Sequence, residues 1–214
     1  METKITTIYL IRHSEKMRLP HSAAENYDRT QPLTVFGEQK ARALVEVEEL
    51  RNADLAYCSP YARTISTLRY LQEADGFRMV LDTRLRELDF GAKPPDGEKP
   101  VRLSAMPGGD PRAKLWEDRD FAFEGGESLN QCIARMEEVI QEIVAAHPGK
   151  KVLVGSHGHS ICGYLSSLVT GIDLAYERKL PKPSIVRVVF EGGHAVEAER
   201  VSFALEFVRE PEAL

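Results

Sequence analysis

The sequence predicts an α/β fold, a three-layer α/β/α sandwich around a mostly parallel sheet, and three observations support this prediction. Short apolar runs rich in β-branched residues alternate with amphipathic segments of helical length. Strands separated by helices pair in parallel and need helices on both faces of the sheet. A chain of 214 residues with 43% hydrophobic content can bury one core, so we expect a single domain over residues 1–214.

The first half of the chain contains three predicted strands and two predicted helices. Residues 5–11 form a continuous apolar run, typical of a buried central strand. Thr34 stands at an N-cap position ahead of a helix that extends to about Arg51. Pro60 suits the first position of a second helix that ends near Gln72. The other two predicted strands are 55–58 and 78–81.

The second half continues the alternation and ends in a hairpin. Residues 127–147 form the clearest helix, with Ser128 as its cap and one apolar stripe along its length. A buried strand at 151–155 follows, and then a helix at about 160–170 that ends at Gly171. The hairpin is predicted from two alternating runs around a glycine pair, at 184–190 and 195–207.

Residues 92–126 interrupt this alternation, because they are rich in proline and glycine. Long irregular segments inside compact domains are often lids or binding loops. The segment is therefore predicted to be a lid-like insertion, and a passive surface insertion is the alternative. We expect Trp116 to pack within the segment, or to face the substrate if the segment closes over a site.

Charge, hydropathy and cysteine content disfavour several classes of protein. The net charge is −5 without a block of like charges, so no nucleic-acid partner is expected. No apolar run reaches the about 20 residues of a membrane span, so no membrane partner is expected. The run at 5–11 is too short, and too soon followed by Arg12 and His13, to be a signal peptide. Three cysteines without paired spacing predict small buried residues in a reducing cytosol, and hence a cytoplasmic protein.

Polar residues that packing would not favour stand at the carboxyl ends of the predicted parallel strands. Arg12 and His13 follow the first strand, and Arg63 lies soon after the second. Glu87 comes after the third strand, and His157 follows the fourth. Since ligands of open α/β sheets bind beyond the carboxyl ends of the strands, we expect these groups to converge at one edge.

Two arginines, two histidines and one carboxylate suit phosphoryl transfer. Guanidinium forks match phosphate oxygens, and each charge-assisted hydrogen bond contributes about 1.5–3 kcal/mol. A neutral imidazole can attack phosphorus, while a carboxylic acid can protonate the leaving oxygen and later take a proton from water. The set therefore fits a small-molecule phosphate ester and calls for no metal and no organic cofactor.

In order and spacing, these motifs resemble the histidine phosphatase superfamily, which includes the cofactor-dependent phosphoglycerate mutases. The resemblance covers about the whole chain and implies that family's phosphoglycerate mutase-like sandwich. Four ordered segments carry the main likeness: Arg12-His13-Ser14, Ser59-Pro60-Tyr61-Ala62-Arg63, Leu85 through Gly91, and Ser156-His157-Gly158. Further matches are Leu33-Thr34 with Gly37 and Gln39, and Gly125-Gly126-Glu127-Ser128.

The resemblance implies a role for each matched residue. His13 would become phosphorylated, and Glu87 would act as acid and base. The residues that would hold the phosphoryl group and stabilise its transition state are Arg12, Arg63 and His157. Ser14 and Gly158 are predicted to line the same phosphate site. No residue is assigned to a metal or to a cofactor.

Three of these positions carry alternatives. Ser14 replaces the glycine that usually follows the catalytic histidine, and its Cβ could crowd the phosphate or its hydroxyl could add a donor. Asp89, or a carboxylate of the insertion, could take the role of Glu87. His159 could be a polar residue at a helix start, which we favour, or a phosphate contact, or half of a metal pair.

The predicted function is that of a phosphomonoester hydrolase of the histidine acid phosphatase type. The alternatives are a phosphoglycerate mutase-type transfer, which the missing Trp-Asn pair near residues 17–19 disfavours, and a non-catalytic phospho-ligand binder, which the retention of both His13 and Glu87 disfavours. The terminal hairpin leaves a possible homodimer open. Basic residues of the insertion suggest an anionic substrate, namely Lys93, Lys99, Arg102, Arg112 and Lys114.

Overall fold

The computed structural model describes residues 4–17, 27–91 and 112–203 of the chain. The strands are β1 (Ile5–Arg12), β2 (Leu55–Cys58), β3 (Arg78–Leu81), β4 (Lys151–Ser156), β5 (Ser184–Glu191) and β6 (His194–Val201). The α-helices are α1 (Tyr27–Thr30), α2 (Val35–Ala43), α3 (Ala62–Asp75), α4 (Arg112–Glu117), α5 (Leu129–Ala146), α6 (Gly158–Leu168) and α7 (Leu174–Lys179). Short 3₁₀ helices occupy Leu44–Glu46, Glu48–Leu50 and Thr83–Leu85.

The strands form one sheet in the order β3-β2-β4-β1-β5-β6, within the described ranges. β1 lies inside the sheet, parallel to β4 and antiparallel to β5. β2 pairs in parallel with β3 and β4, and β5 and β6 form the terminal hairpin. The predicted mostly parallel sheet with a central first strand is confirmed.

The direction of β5 decides what else reaches the carboxyl edge of the sheet. β5 is antiparallel to β1, so its first residue, Ser184, pairs with Arg12, the last residue of β1. The chain that leads into β5 therefore arrives at the edge where the parallel strands end. The carboxyl ends of strands do not predict the presence of this segment, because it lies at the start of a strand.

Helices cover both faces of the sheet, which confirms the three-layer sandwich. Ile8 and Leu10 of β1 pack into one core cluster with α5 and α6. Tyr9 and Ile11 alternate with them and pack into a second cluster with α3 and the 3₁₀ turns.

Several helix boundaries differ from the prediction. The helix expected to reach Arg51 ends at Ala43 and continues as two 3₁₀ turns, with Val47 in an extended conformation between them. Pro60 is not in the first helical position, because α3 begins at Ala62. The sequence does not predict α7, because a helix of only six residues is too short to show a helical period.

The cap of α5 is confirmed. The Ser128 hydroxyl accepts a hydrogen bond from the Gln131 backbone N–H, and the Gln131 side chain accepts one from the Ser128 N–H. This reciprocal capping box satisfies two amides that the helix itself leaves unpaired.

Part of the predicted insertion packs onto the domain, while residues 92–111 lie outside the described residues. Leu115 is buried in a cluster with residues of α5, and Trp116 packs against the same cluster, as expected. The two ends of the insertion meet where the Glu127 N–H donates to the Asp89 carbonyl. Whether the insertion acts as a lid stays a prediction.

The three cysteines, Cys58, Cys132 and Cys162, are free and buried, as the sequence predicts. Among the described helices, none combines the length and apolar character required to cross a membrane.

Candidate active site

The structure brings the predicted residues together at the carboxyl edge of the sheet. His13 follows β1, and its N–H extends the β1–β4 ladder by donating to the Ser156 carbonyl at 3.1 Å. The ring centroids of His13 and His157 are 5.2 Å apart. Arg63 lies in the first turn of α3, and its charge acts on both imidazoles.

His13 holds its ring proton on Nδ1. Its Nδ1 lies 2.6 Å from the Ser14 carbonyl oxygen, which can only accept, so Nδ1 carries the proton and Nε2 holds a lone pair. Burial lowers the pKa of His13 well below its ordinary value, and the nearby His157 and Arg63 lower it further. The ring is therefore neutral at pH 7.

His157 is fixed through one nitrogen and leaves the other without a partner. Its Nε2 lies 2.8 Å from the Ser59 hydroxyl and 3.3 Å from the Thr64 hydroxyl. Its buried Nδ1 has no hydrogen-bond partner among the described residues. Burial, and next the charge of Arg63, lowers the pKa of His157 well below its ordinary value. A buried ring nitrogen left unpaired is costly unless a ligand meets it.

Arg12 reaches the site but is anchored to α7. Its Nη1 donates to the Glu177 and Leu180 carbonyls at 3.2 and 2.9 Å, and its Nη2 donates to Glu177 Oε1 at 2.6 Å. Both residues are buried, so this is a buried ion pair with additional hydrogen bonds. The sequence does not predict a role for Glu177, because nothing in its short helix marks a charged residue as buried.

The Glu87 carboxylate contacts the first turn of α6. Its Oε1 accepts hydrogen bonds from the Leu88 N–H at 3.0 Å and the Ser160 N–H at 3.2 Å. Burial raises its pKa, but His159, then His157 and the Leu88 N–H, outweigh burial and hold the pKa of Glu87 well below its ordinary value. Asp89, the alternative carboxylate, is exposed and accepts from the Gly91 N–H in a local turn.

Ser14 and Gly158 serve the architecture of the site. The Ser14 hydroxyl donates to the Gly37 carbonyl at 2.8 Å, and the Ser14 N–H donates to the Thr67 hydroxyl at 2.9 Å. A Cβ at Gly158 would lie 2.4 Å from Glu177 Oε1 and 2.6 Å from Arg12 Nη2. Gly158 thus allows the Arg12–Glu177 pair to approach the backbone of α6.

A pocket of about 450 Å³ opens beside Arg12. Its lining residues are mostly basic, namely Arg12, Glu15, Lys40, Arg112, Glu177, Arg178, Leu180, Pro181 and Lys182. Lys182 stands just before β5, and its charge is among the causes that lower the pKa of His13. Burial, followed by the charge of Arg12, lowers the pKa of Lys182 itself. Within the described ranges, no cluster of three or more metal-ligating side chains occurs.

Fold and site together define an α/β protein with histidines and arginines gathered at the carboxyl edge of its sheet. The family model of the histidine phosphatase superfamily (branch 1) matches residues 8–201, and the chain belongs to this superfamily. The probable phosphoglycerate mutase GpmB of Serratia proteamaculans (strain 568) is 30% identical over 177 residues, which cover 81% of this chain and 79% of that protein.

Solved structures share the fold. A mycobacterial glucosyl-3-phosphoglycerate phosphatase in complex with VO3 has 25% identity and a TM-score of 0.66, over 85% of this chain and 92% of that chain. A phosphoserine phosphatase mutant from Entamoeba histolytica, in complex with phosphoserine, has 19% identity and a TM-score of 0.67, over 92% of this chain and 96% of that chain. The second likeness concerns the fold alone.

Proposed function

We propose that the protein is a phosphomonoester hydrolase of the histidine acid phosphatase type that works through a phosphohistidine at His13. The observation that carries this proposal is the state of His13, a buried neutral imidazole whose Nδ1–H is bound to Ser14 and whose Nε2 holds the lone pair. Such a nitrogen can attack phosphorus at neutral pH without first losing a proton.

The neighbours of His13 supply the remaining functions. Arg63 provides fixed positive charge, and the unpaired Nδ1 of His157 provides a polar contact for a phosphate oxygen. As the His13–phosphorus bond forms, the bond to the leaving oxygen breaks and a proton reaches that oxygen through Glu87. Water then attacks phosphorus, the bond to His13 breaks, and Glu87 takes a proton from the water.

A phosphoglycerate mutase-type transfer is the second candidate, because relatives such as the Serratia protein carry that name. It would share the phosphohistidine but return the phosphoryl group to another hydroxyl. Structures with 25% identity carry the name of a phosphatase instead. Adding acceptor alcohols separates the two, since a hydrolase releases phosphate to water whereas a mutase transfers the group to the acceptor.

The first experiment measures phosphate release from 4-nitrophenyl phosphate in the presence of EDTA. The native protein is expected to release phosphate and to become phosphorylated on His13. His13→Ala is expected to lose the activity by more than about 10³-fold, because removal of the nucleophile leaves only binding and charge stabilisation. Release should persist with EDTA, because no residue is assigned to a metal.

His194→Ala is the matched control, since His194 lies exposed on β6. It should keep native activity. Equal release from native protein and His13→Ala would overturn the proposal. If the protein binds phosphate tightly but forms no phosphoenzyme with any ester, the result would favour the phospho-ligand binder.

A further inference from the structure

The two half-reactions make opposite demands on Glu87. The first needs a protonated carboxyl to donate to the leaving oxygen, and the second needs a carboxylate to accept from water. An isolated carboxyl has one midpoint, so whatever pH improves one step weakens the other. Glu87 accepts hydrogen bonds from the Leu88 and Ser160 amides, which stabilise its ionised form and favour only the second step.

His159 lies against this carboxylate. It is the second residue of α6 and only 4% exposed. Its Nδ1 lies 3.8 Å from Glu87 Oε2, and its Nε2 lies 3.8 Å from Glu177 Oε2. Phe90 packs edge-on against the ring with 5.1 Å between the centroids. The imidazole therefore lies within ion-pair distance of two carboxylates, beside an aromatic ring.

The charges around His159 come from several elements. Glu177 on α7 is paired with Arg12 of β1, so one of its oxygens is neutralised while the other faces His159. His157 acts on Glu87 from the end of β4. Other titratable groups that interact with Glu87 or Glu177 are Arg135 and Cys132 of α5, Cys162 of α6 and Lys182 before β5.

We propose that His159 is a positioning residue that shares one proton with Glu87, so that the pair serves as both acid and base at the same pH. The proposal rests on the proposed function above. In the first half-reaction the pair gives its proton, through Glu87, to the leaving oxygen and is left as carboxylate and neutral imidazole. In the second half-reaction Glu87 takes a proton from the attacking water, and the pair regains the one it lost.

Coupling separates the two midpoints of the pair. The positive imidazole makes it harder to protonate Glu87, and the negative carboxylate makes it harder to remove the last proton. The one-proton state therefore spans a wider pH range than Glu87 alone could serve. Glu177 Oε2 lies 3.8 Å from the far ring nitrogen, and the other oxygen of the same carboxylate fixes Arg12, so the charge of Glu177 acts on both residues.

His159→Asn tests the proposal, because the amide keeps an N–H near the position of Nδ1 but cannot titrate. In the pH profile of the phosphoenzyme decay rate, the acid limb should lie at higher pH in the variant than in the native protein. For phenyl phosphate, a poor leaving group, the basic limb of kcat/KM should move to lower pH. We expect each limb to move by about one pH unit, a tenfold change in rate at a fixed pH on the limb.

A purely structural role for His159 predicts a different pattern. It would lower all rates by one factor and leave the limbs in place, and that result would overturn the proposal. 4-Nitrophenyl phosphate, whose leaving group needs little protonation, should keep its basic limb in His159→Asn. His194→Asn is the control for loss of an exposed histidine and should change neither limb.

A second measurement decides the matter if His159→Asn does not fold. NMR titration of the Glu87 carboxyl in the native protein and in His159→Gln should show a higher Glu87 pKa in the variant, because His159 is among the groups that lower it. An unchanged midpoint would overturn the proposal. Failure of the native protein to form a phosphoenzyme would instead contradict the proposed function, and the NMR titration would still report the coupling.

Discussion

At the scale of one residue, Gly158 shows how closely the α6 backbone approaches the Arg12–Glu177 ion pair. Its missing Cβ leaves the space that Arg12 Nη2 and Glu177 Oε1 occupy. Neither group can retreat easily, because both are buried and Arg12 is also bonded to the Glu177 and Leu180 carbonyls. The requirement for glycine here is steric, and it concerns a charged pair that the sequence alone did not reveal.

We therefore expect Gly158→Ala to displace the Arg12–Glu177 pair and weaken phosphate binding. Loss of charge-assisted contacts of about 1.5–3 kcal/mol corresponds to a roughly 10- to 100-fold weaker competitive inhibition by inorganic phosphate. Gly163→Ala in the same helix is the matched control, since its Cβ would meet apolar atoms only, Leu129 Cδ1 at 3.0 Å and Ile133 Cγ1 at 3.4 Å. Equal phosphate affinity in Gly158→Ala and native protein would show that the pair adapts without cost.

At the scale of elements, α5 positions the loop that carries Glu87. Arg135 of α5 is buried and donates to the carbonyls of Arg84, Arg86 and Glu87 at 2.5, 2.9 and 3.2 Å. Its Nε and Nη2 also donate to the Glu127 carboxylate. The Arg135 side chain thus provides hydrogen-bond donors to three carbonyls of this irregular backbone. These bonds fix the backbone from which the Glu87 side chain extends.

Arg135→Met should loosen this loop and lower both stability and activity. It leaves three carbonyls without this donor and Glu127 with Arg86 as its remaining salt-bridge partner, so the free energy of unfolding should fall by about 3–5 kcal/mol. Urea denaturation at pH 7 measures the loss. Ser128→Ala removes the cap of the same helix and should cost only about 1 kcal/mol without changing kcat. A cost for Arg135→Met no larger than that of Ser128→Ala would contradict the role given to Arg135.

The sequence could predict those parts of the site that stand at the ends of parallel strands. His13 and His157 directly follow apolar runs, and the topology then places them together without further information. Glu177 and Lys182 could not be found this way. Glu177 is buried through an ion pair with a residue 165 positions away, and Lys182 precedes a strand whose antiparallel direction no local pattern reveals.

The predicted end of the helix that begins after Thr34 is wrong for a related reason. The apolar positions toward Arg51 fit a helical period, yet the chain there follows 3₁₀ turns that bring Leu44 and Leu50 into the core under α3. Tertiary packing overrode local periodicity in this segment. The helix of α5 was placed correctly, because its capping box and its apolar stripe agree with its environment.

At the scale of the whole molecule, charge is distributed unevenly. The chain has a net charge of −5, yet the pocket beside Arg12 is lined by five basic and two acidic residues. A basic concavity on an acidic protein concentrates field lines and attracts anions selectively. Arg112 is the residue that connects this pocket with the basic insertion noted in the sequence, whose other members lie largely outside the described residues.

We expect the preferred ester to carry a second anionic group that reaches this pocket. A phosphate ester of a small hydroxy acid should have a kcat/KM about 10- to 100-fold higher than the ester of the matching hydroxy amide, since one charge-assisted contact contributes about 1.5–3 kcal/mol. Because the two esters differ in charge and hardly in shape, the ratio isolates the electrostatic contribution. The preference should weaken with rising salt, as exposed charge interactions do.

Lys182→Met identifies the source of that preference. The variant should bring the ratio of acid to amide close to one, because it removes a pocket-lining cation whose charge also acts on His13. Lys179→Met, an exposed lysine at the end of α7 that does not line the pocket, should leave the ratio unchanged. If the acid and amide esters react equally well in the native protein, or if the preference survives in Lys182→Met, the basic pocket serves the protein in some way other than substrate selection.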